Sequence, residues 1–339
     1  MNGRILSVQS NGQRRVAQET VAALGLKVLM PPAGIVSGVR AHIWEQTGLP
    51  ARLKGAPLWS PSTSAPMFYR NQVVTVHDLA FVDVPQFFTP SFNALYRTVV
   101  RRAVHSARLV VAVSEFSRRR IIEEYGIRPE KVRCIYPGVS PAYFRRSAAE
   151  IAALRSEFGL QDHPYLVAMA VNDQRKNLGG ILSAWNALGN ARGDARLVLF
   201  GREANPRVFA VGQATAAGVE QGVIAIGKIS DEQAATLLSG ARGFVFPSFY
   251  EGFGLPIIEA SACGTQVLTS NRASMPEIAP AGSLLVDPFS MQDIAEGMLA
   301  MLSTSGEAAD SQSLIDGAAA FSWTRAAELY RTVFRDAFG

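Results

Sequence analysis

The chain has 339 residues and only two cysteines, Cys134 and Cys263. Neither has a second Cys or His at metal-ligand spacing, so a disulfide framework and a structural zinc site are both excluded, and a reducing cytoplasm is expected. No apolar run reaches the roughly 18 residues that a membrane-spanning helix requires. The opening MNGRILSVQSNGQRR turns polar too soon to form the core of a secretory signal. There is no Asp-x-Asp, so no metal clamp is expected, and no lysine stands out as the carrier of a cofactor. The lack of Gly-x-Ser-x-Gly argues against a hydrolase of that type. Aromatic platforms and a base-reading helix are also missing, which argues against nucleic acid as a partner.

What is present is the composition of a globular protein, 48% hydrophobic and 18% charged, long enough for two domains. Charge is unevenly shared. Residues 1–150 hold 20 Lys and Arg against 9 Asp and Glu, a balance of +11, and the remainder carries −6. A basic first half implies an anionic partner, read here as a membrane surface or a lipid diphosphate. Much of the excess lies between 97 and 146, and Arg97 and Arg101 share one face of a helix expected over 90–106.

Apolar, β-branched runs alternate with amphipathic stretches, the pattern of parallel α/β layers. Expected strands in the first half are RILSV (4–8), KVLM (27–30), VVTVH (73–77), RLVVAV (108–113) and VRCIY (132–136). Helices fall near 13–24, 90–106 and 115–125, the last capped by Ser114. In the second half strands recur at 165–170, 196–201, 223–227, 243–247 and 267–270, with helices near 177–188, 205–217, 231–240 and 255–263. The expectation is two doubly wound Rossmann-like domains facing across a cleft. Turn chemistry at Pro137, Gly138 and Pro141 suggests a boundary between 140 and 160. The domains are drawn as 1–155 with 323–339, and 156–322.

One stretch concentrates chemistry. YEGFGLPIIEASACG (250–264) follows a strand and opens a helix, with Pro256 in the first turn where its missing N–H costs nothing. Gly252 and Gly254 permit close backbone approach to a ligand. The free N–H groups near Gly254 and Leu255, with the helix dipole, form an anion site. Glu259 follows just inside the helix and Glu251 just before the turn, so both suit polyol hydroxyls on either side of an anion.

This stretch resembles the E-x7-E signature of glycosyltransferase family 4, retaining enzymes of the GT-B fold. Similar segments run through most of the chain: VTVHDLAF (74–81), VVAVSEFSRRRI (110–121), RKNL (175–178), VIAIGKISDEQAATLLSGA (223–241), LLVDP (284–288) and FSW (321–323). The branch resembled is that of mannosyl- and rhamnosyltransferase-like enzymes of bacterial surface polysaccharides. The resemblance implies that Glu259 binds ribose hydroxyls, Glu251 binds donor-sugar hydroxyls and Lys176 neutralises the leaving diphosphate, with Arg175 as a second cation. It implies backbone contacts from Gly252, Phe253, Gly254 and Leu255 to the donor. Lys228, in the loop after VIAIG, would lie against the base, and His77 would contact the donor sugar. The final helix would join the first domain. Arg202 and Glu203 are weaker donor-site candidates.

The implied reaction is transfer of a hexose, first mannose from GDP-mannose, to an acceptor hydroxyl on a lipid-linked oligosaccharide, as in O-antigen or exopolysaccharide synthesis. A UDP-hexose or GDP-rhamnose donor is the alternative. The nucleotide sugar is a co-substrate, and no metal or cofactor is expected. Retention fits a same-face substitution in which the departing phosphate takes the acceptor proton. It also fits double displacement through a carboxylate, for which Glu251 is a candidate. Domain closure would assemble Glu251, Lys176 and His77. Two departures stand out: SNGQRRVAQE (10–19) keeps a single glycine, Gly12, where family members carry a glycine-rich loop, and AMAVNDQRKN (168–177) lacks a Gly–Arg pair before the lysine. Arg14 and Arg15 are then candidates for phosphate or acceptor contact. A location on the inner face of the cytoplasmic membrane, held peripherally by the basic half, follows from charge. The rival of another class is an inactive GT-B-like binding or scaffold protein.

Overall fold

The computed structural model describes residues 1–7, 12–35, 38–171, 173–201, 221–303 and 311–339. The chain divides into two compact units. The first comprises Met1–Pro85, Pro90–Gly138 and Ser322–Gly339, and the second Gln86–Thr89 and Val139–Phe321. The division at Gly138 falls earlier than the boundary drawn at 155. Residues 139–157 are tied to the second unit because Tyr143 donates to Asp231 (3.2 Å) and the Arg146 amide donates to Ser239 (3.0 Å). The helix Ala148–Glu157, opened by a Ser147–Glu150 capping box, packs on the helix Asp231–Ser239.

The first unit holds a parallel sheet of β1 (Leu58–Ser60), β2 (Gln72–Val76), β3 (Leu109–Ala112) and β4 (Val132–Cys134), in that order. Val74, Val76, Val110 and Ala112 face Val100, Ala103 and Val104 of the helix Pro90–Ser106. On the other face Trp59, Val73 and Val111 meet Tyr330 and Val333 of the last helix, Trp323–Phe338. Burial on both faces explains why these strands read as unbroken apolar runs. Tyr330 shares a 3.2 Å hydrogen bond with Thr75, and Arg108 donates to the Ala337 carbonyl at 2.7 Å, so the C-terminal helix is fixed to this sheet.

Two expected strands are corrected. Of RILSV, residues 4–7 lie in a 3-10 turn, Gly3–Ser7, and Val8 lies outside the described residues, while KVLM contributes only an isolated bridge between Asn2 and Leu29. The cause is local polar chemistry. The Arg4 amide donates to Asn2 Oδ1 (3.1 Å) and curls the backbone, while the Arg4 side chain turns inward to Glu45 (3.0 Å). Glu45, fully buried, also accepts from Asn2 Nδ2 (2.7 Å) and Ser64 (2.5 Å). Burial alone would raise the Glu45 pKa, but the Arg4 charge and these donors bring it down to about 2.

The second unit holds a six-stranded parallel sheet in the order β10-β9-β8-β5-β6-β7. Its strands are β5 (Tyr165–Met169), β6 (Arg196–Phe200), β7 (Val223–Gly227), β8 (Gly243–Phe246), β9 (Val267–Ser270) and β10 (Leu284–Val286). Leu166, Ala168, Leu197 and Val245 pack beneath Ile181, Trp185 and Met298. Chain order runs outward from β5 to β7 on one side and from β8 to β10 on the other. The topological switch point therefore lies between β5 and β8, where such sheets open a crevice at the strand ends. Arg202, Glu203 and the helix expected at 205–217 lie outside the described residues.

Removing Arg4 strands a buried carboxylate, so Arg4→Met is expected to cost about 3–5 kcal/mol in urea denaturation. Arg4→Met/Glu45→Leu, which removes both charges, is expected to recover most of that loss.

Candidate active site

The loops leaving β5 and β8 are joined by backbone and side-chain bonds. The Phe249 amide donates to the Arg175 carbonyl (2.8 Å), and the Ser248 hydroxyl lies 2.9 Å from the same oxygen. Asn177, in left-handed backbone with φ +57°, donates to the Pro247 carbonyl (3.2 Å) and the Pro288 carbonyl (2.7 Å), binding three loops at one edge of the sheet. Its side-chain oxygen also caps the helix Leu178–Ala187 by accepting from the Gly180 amide at 3.2 Å.

These bonds set Lys176 against Glu251, and the two form an ion pair. Their side chains are 16% and 12% exposed, which places the pair at the edge of solvent rather than in the core. Ser248 donates to Glu251 Oε1 at 2.7 Å. The Lys176 ammonium also lies 4.9 Å from the centre of the Phe246 ring, a cation–π distance. A compact cation held beside a carboxylate offers one group for phosphate oxygens and one for hydroxyl protons.

The turn after Glu251 leads into the helix Leu255–Ala262. Gly254 caps it at φ +103°, a conformation in which any other residue is strained, and a Cβ there would come within 2.9 Å of Ile257 Cδ1 and displace it. Pro256 occupies the second helical position and removes one unpaired N–H at no cost. The buried Ser274 hydroxyl lies 2.9 Å from both the Glu251 and Phe253 carbonyl oxygens and so fixes the shape of this turn. Phe253 packs edge-on against Phe321 at 5.5 Å. Gly252 lies in the same turn, and Glu259, 8% exposed, follows one turn into the helix.

Arg175 sits differently from its neighbour. It is ion-paired with Asp173 (2.8 Å), and its guanidinium lies 5.2 Å from the Phe88 ring. Although burial works to raise the Asp173 pKa, the Arg175 charge and its hydrogen bonds hold it below the usual carboxylate range. Phe88 comes from the short segment Gln86–Thr89, and its neighbour Phe87 stacks on Phe249 at 5.6 Å. Lys228 is exposed directly after β7, beyond Gly227 at φ +68°. The residues that sequence reasoning missed are Ser248, Ser274 and Asp173. Ser248 and Asp173 stand three and two positions before charged site residues, whereas Ser274 has no local signal.

In the first unit, His77 follows β2 and is buried. Its Nε2 lies 2.7 Å from the Pro61 carbonyl oxygen, which only accepts, so Nε2 carries the proton and Nδ1 presents a lone pair. The His77 amide donates to Thr63 (3.2 Å) and its carbonyl accepts from Ser117 (3.2 Å), so the backbone that carries the ring is fixed on both sides. Gly12 opens the helix Gly12–Leu24, with Arg14 and Arg15 half-buried in its first turn. Among the described residues, no group of three or more His, Cys, Asp or Glu is placed to hold a metal ion.

Burial lowers the His77 pKa below 6.5, against the opposing pull of the Pro61 hydrogen bond and the Asp78 charge. As pH falls through 6.5 the unfolded chain takes up a proton that the folded imidazole refuses, so acid favours unfolding. The thermal midpoint is expected to fall between pH 7 and 5, with a shallower slope in His77→Asn; equal slopes would contradict the assignment.

Comparison with known proteins bears on the family and the fold. Residues 151–315 match the family described as "Glycosyl transferases group 1", and residues 56–143 match "Glycosyltransferase Family 4". A relative, the O-antigen chain mannosyltransferase B of Escherichia coli, is 31% identical over 71% of this chain and 64% of its own length. The chain thus spans slightly less than two thirds of that relative. Among solved structures, a sucrose-phosphate synthase from Thermosynechococcus elongatus superposes with TM-score 0.72 at 19% identity, covering 97% of this chain and 94% of its own. Anabaena Alr3699/HepE, solved with UDP and glucose, superposes with TM-score 0.62 at 20% identity over 78% of this chain and 71% of its own. With two family matches that together span about three quarters of its length, and two parallel-sheet Rossmann-like units, this chain belongs to the family 4 glycosyltransferases of the GT-B fold.

Proposed function

We propose that the chain is a retaining hexosyltransferase that moves a hexose from a nucleoside diphosphate sugar to a glycan or lipid-linked acceptor hydroxyl. The observation that carries this reading is the Lys176–Glu251 pair at the β5/β8 switch point, beside the Gly254-capped helix end. Sheets of this kind bind ligands at that crevice, and a helix N-terminus with a neighbouring lysine suits a diphosphate. Gly252, Phe253, Gly254 and Leu255 line the turn against it. Glu259 accepts from the ribose diol, and each hydrogen bond to its charge contributes about 1.5–3 kcal/mol to donor orientation. Glu251 accepts from the sugar hydroxyls. Lys228 is assigned to the base end.

Because Lys176 is already paired with Glu251, donor binding exchanges one partner for two. The ammonium turns to the diphosphate while the carboxylate takes hydroxyl protons. Charge that develops on the leaving phosphate is then met by a fixed cation and helix amides, which need no reorganisation in the transition state. Arg175 is engaged by Asp173, so the main share of diphosphate neutralisation is assigned to Lys176. No resident metal or cofactor is assigned to the reaction. Mannose from GDP-mannose is the first donor proposed, on the strength of the mannosyltransferase relative. The basic first half, at +11, supports peripheral attachment to an anionic membrane face. Among the described residues no helix is long and apolar enough to cross a membrane.

The test is donor turnover followed by mass spectrometry with GDP-mannose, GDP-rhamnose and UDP-hexoses. One donor is expected to be consumed, with the rate unchanged by EDTA. Glu251→Ala and Lys176→Ala are each expected to slow turnover about 100-fold or more, the scale seen when one group stabilising transition-state charge is removed. Glu259→Ala is expected chiefly to raise the donor KM. No turnover with any donor would favour a binding or scaffold protein.

A further inference from the structure

The first unit carries a second concentration of positive charge that the transfer chemistry does not use. Along the helix Pro90–Ser106 runs an open groove of about 570 Å3, lined by Arg97, Thr98, Arg101, Arg102 and His105. All five are exposed, while Val99, Val100, Ala103 and Val104 on the opposite face are buried in the core. The spacing accounts for the groove: Arg97, Arg101 and His105 form one stripe at every fourth position, and Thr98 and Arg102 form the adjoining one. Side chains so spaced are about 5–6 Å apart at Cβ, close enough to converge on one anion.

The charges in this groove are not balanced from within. Among the described residues no carboxylate lies within ion-pair distance of Arg97, Arg101 or Arg102; Arg97 donates to the Val82 carbonyl at 3.3 Å, and Arg102 rests 5.5 Å from the Phe68 ring. Like charges one turn apart repel, so the bare stripe works against its own helix. His105 Nδ1 donates to the Arg101 carbonyl (2.7 Å) and leaves Nε2 uncommitted, and Lys131 adds a further cation by donating to the His105 carbonyl (2.7 Å). Tyr125, 7% exposed, lies beside this stripe with its ring 6.5 Å from that of His105, and the charges of Arg97 and Arg101 reach it together with those of Glu124 and Asp83.

We propose that this groove is an anion site, distinct in sequence from the diphosphate cradle of the second unit, and that it takes a phosphate or diphosphate group. Guanidinium forks match phosphate oxygens in pairs, and three of them on one helix face select a ligand of high negative charge. Phosphate of this kind is borne by a soluble phosphorylated ligand or by a lipid headgroup. Phe68, 73% exposed and in contact with Arg102, offers an apolar neighbour for the second of these. The binding itself stands apart from the transferase reading, but assigning the phosphate to an acceptor rests on it.

The test is equilibrium binding of inorganic pyrophosphate to the full chain, compared among wild type, Arg97→Gln/Arg101→Gln and Lys176→Gln. The double variant is expected to bind at the groove about tenfold more weakly or worse, since two charge-assisted hydrogen bonds are lost. Its nucleoside diphosphate binding is expected to be unchanged. Lys176→Gln is expected to keep the groove site. A folded double variant that binds pyrophosphate with wild-type stoichiometry and affinity overturns the proposal. Sedimentation with phosphatidylglycerol and phosphatidylcholine vesicles separates the sources. Loss of anionic-vesicle binding in the double variant and in Phe68→Ala assigns the phosphate to a lipid headgroup. Loss of pyrophosphate binding with vesicle binding intact assigns it to a soluble ligand. Failure of nucleotide binding in Lys176→Gln concerns the donor site and leaves the groove unaffected.

Discussion

The second unit is organised around one topological constraint, the reversal of strand order between β5 and β8. Strands to either side carry their following helices to opposite faces, so the two loops at the reversal diverge and open a crevice between them. Lys176 leaves one strand and Glu251 the other, and that opening is where their opposite charges meet. The bonds from Phe249, Ser248 and Asn177 then fix the loops to one another, so the pair is held by the scaffold and not by its own attraction alone. An ion pair near solvent contributes little to stability, roughly 0–1 kcal/mol. Its position is better understood as preorganisation of two groups with different partners to find.

The first unit solves a different problem, that of burying a charge. Arg4, Glu45, Asn2 and Ser64 form a satisfied network where the sequence pattern alone calls for a strand. Such a network adds little net stability but penalises any alternative that leaves one member unpaired. It thereby fixes the turn at the start of the chain. The same unit anchors the last helix through Tyr330 and Arg108, so the two ends of the chain share one core.

Much of this was legible in sequence where long-range order is repetitive. The unbroken apolar runs gave β2, β3 and the strands β5 to β9, and the cap at Ser114 marked a helix start. The three-residue strands Leu58–Ser60 and Leu284–Val286 were missed because two or three residues carry no measurable period. RILSV was misread because its apolar pattern was outweighed by a partner 41 residues away, Glu45. That Glu251, Gly254 and Glu259 lie close together could be read from spacing, since one turn and one helix hold all three. The contact between Lys176 and Glu251 could not, nor the grip of Ser274 on the turn, because both depend on which strands become neighbours.

The central claim is that the β5/β8 edge holds a nucleoside diphosphate sugar through a cation, a helix end and two carboxylates with separate tasks. Its most direct test is a thermal-shift screen of nucleoside diphosphates and their sugars, because a ligand bound only by the folded state raises its stability in step with affinity. The account predicts a rise in midpoint with one nucleoside diphosphate, a larger rise with its sugar, loss of that sugar increment in Glu251→Ala and loss of most of the whole shift in Lys176→Ala. A wild-type midpoint unmoved by every nucleotide and nucleotide sugar would contradict it.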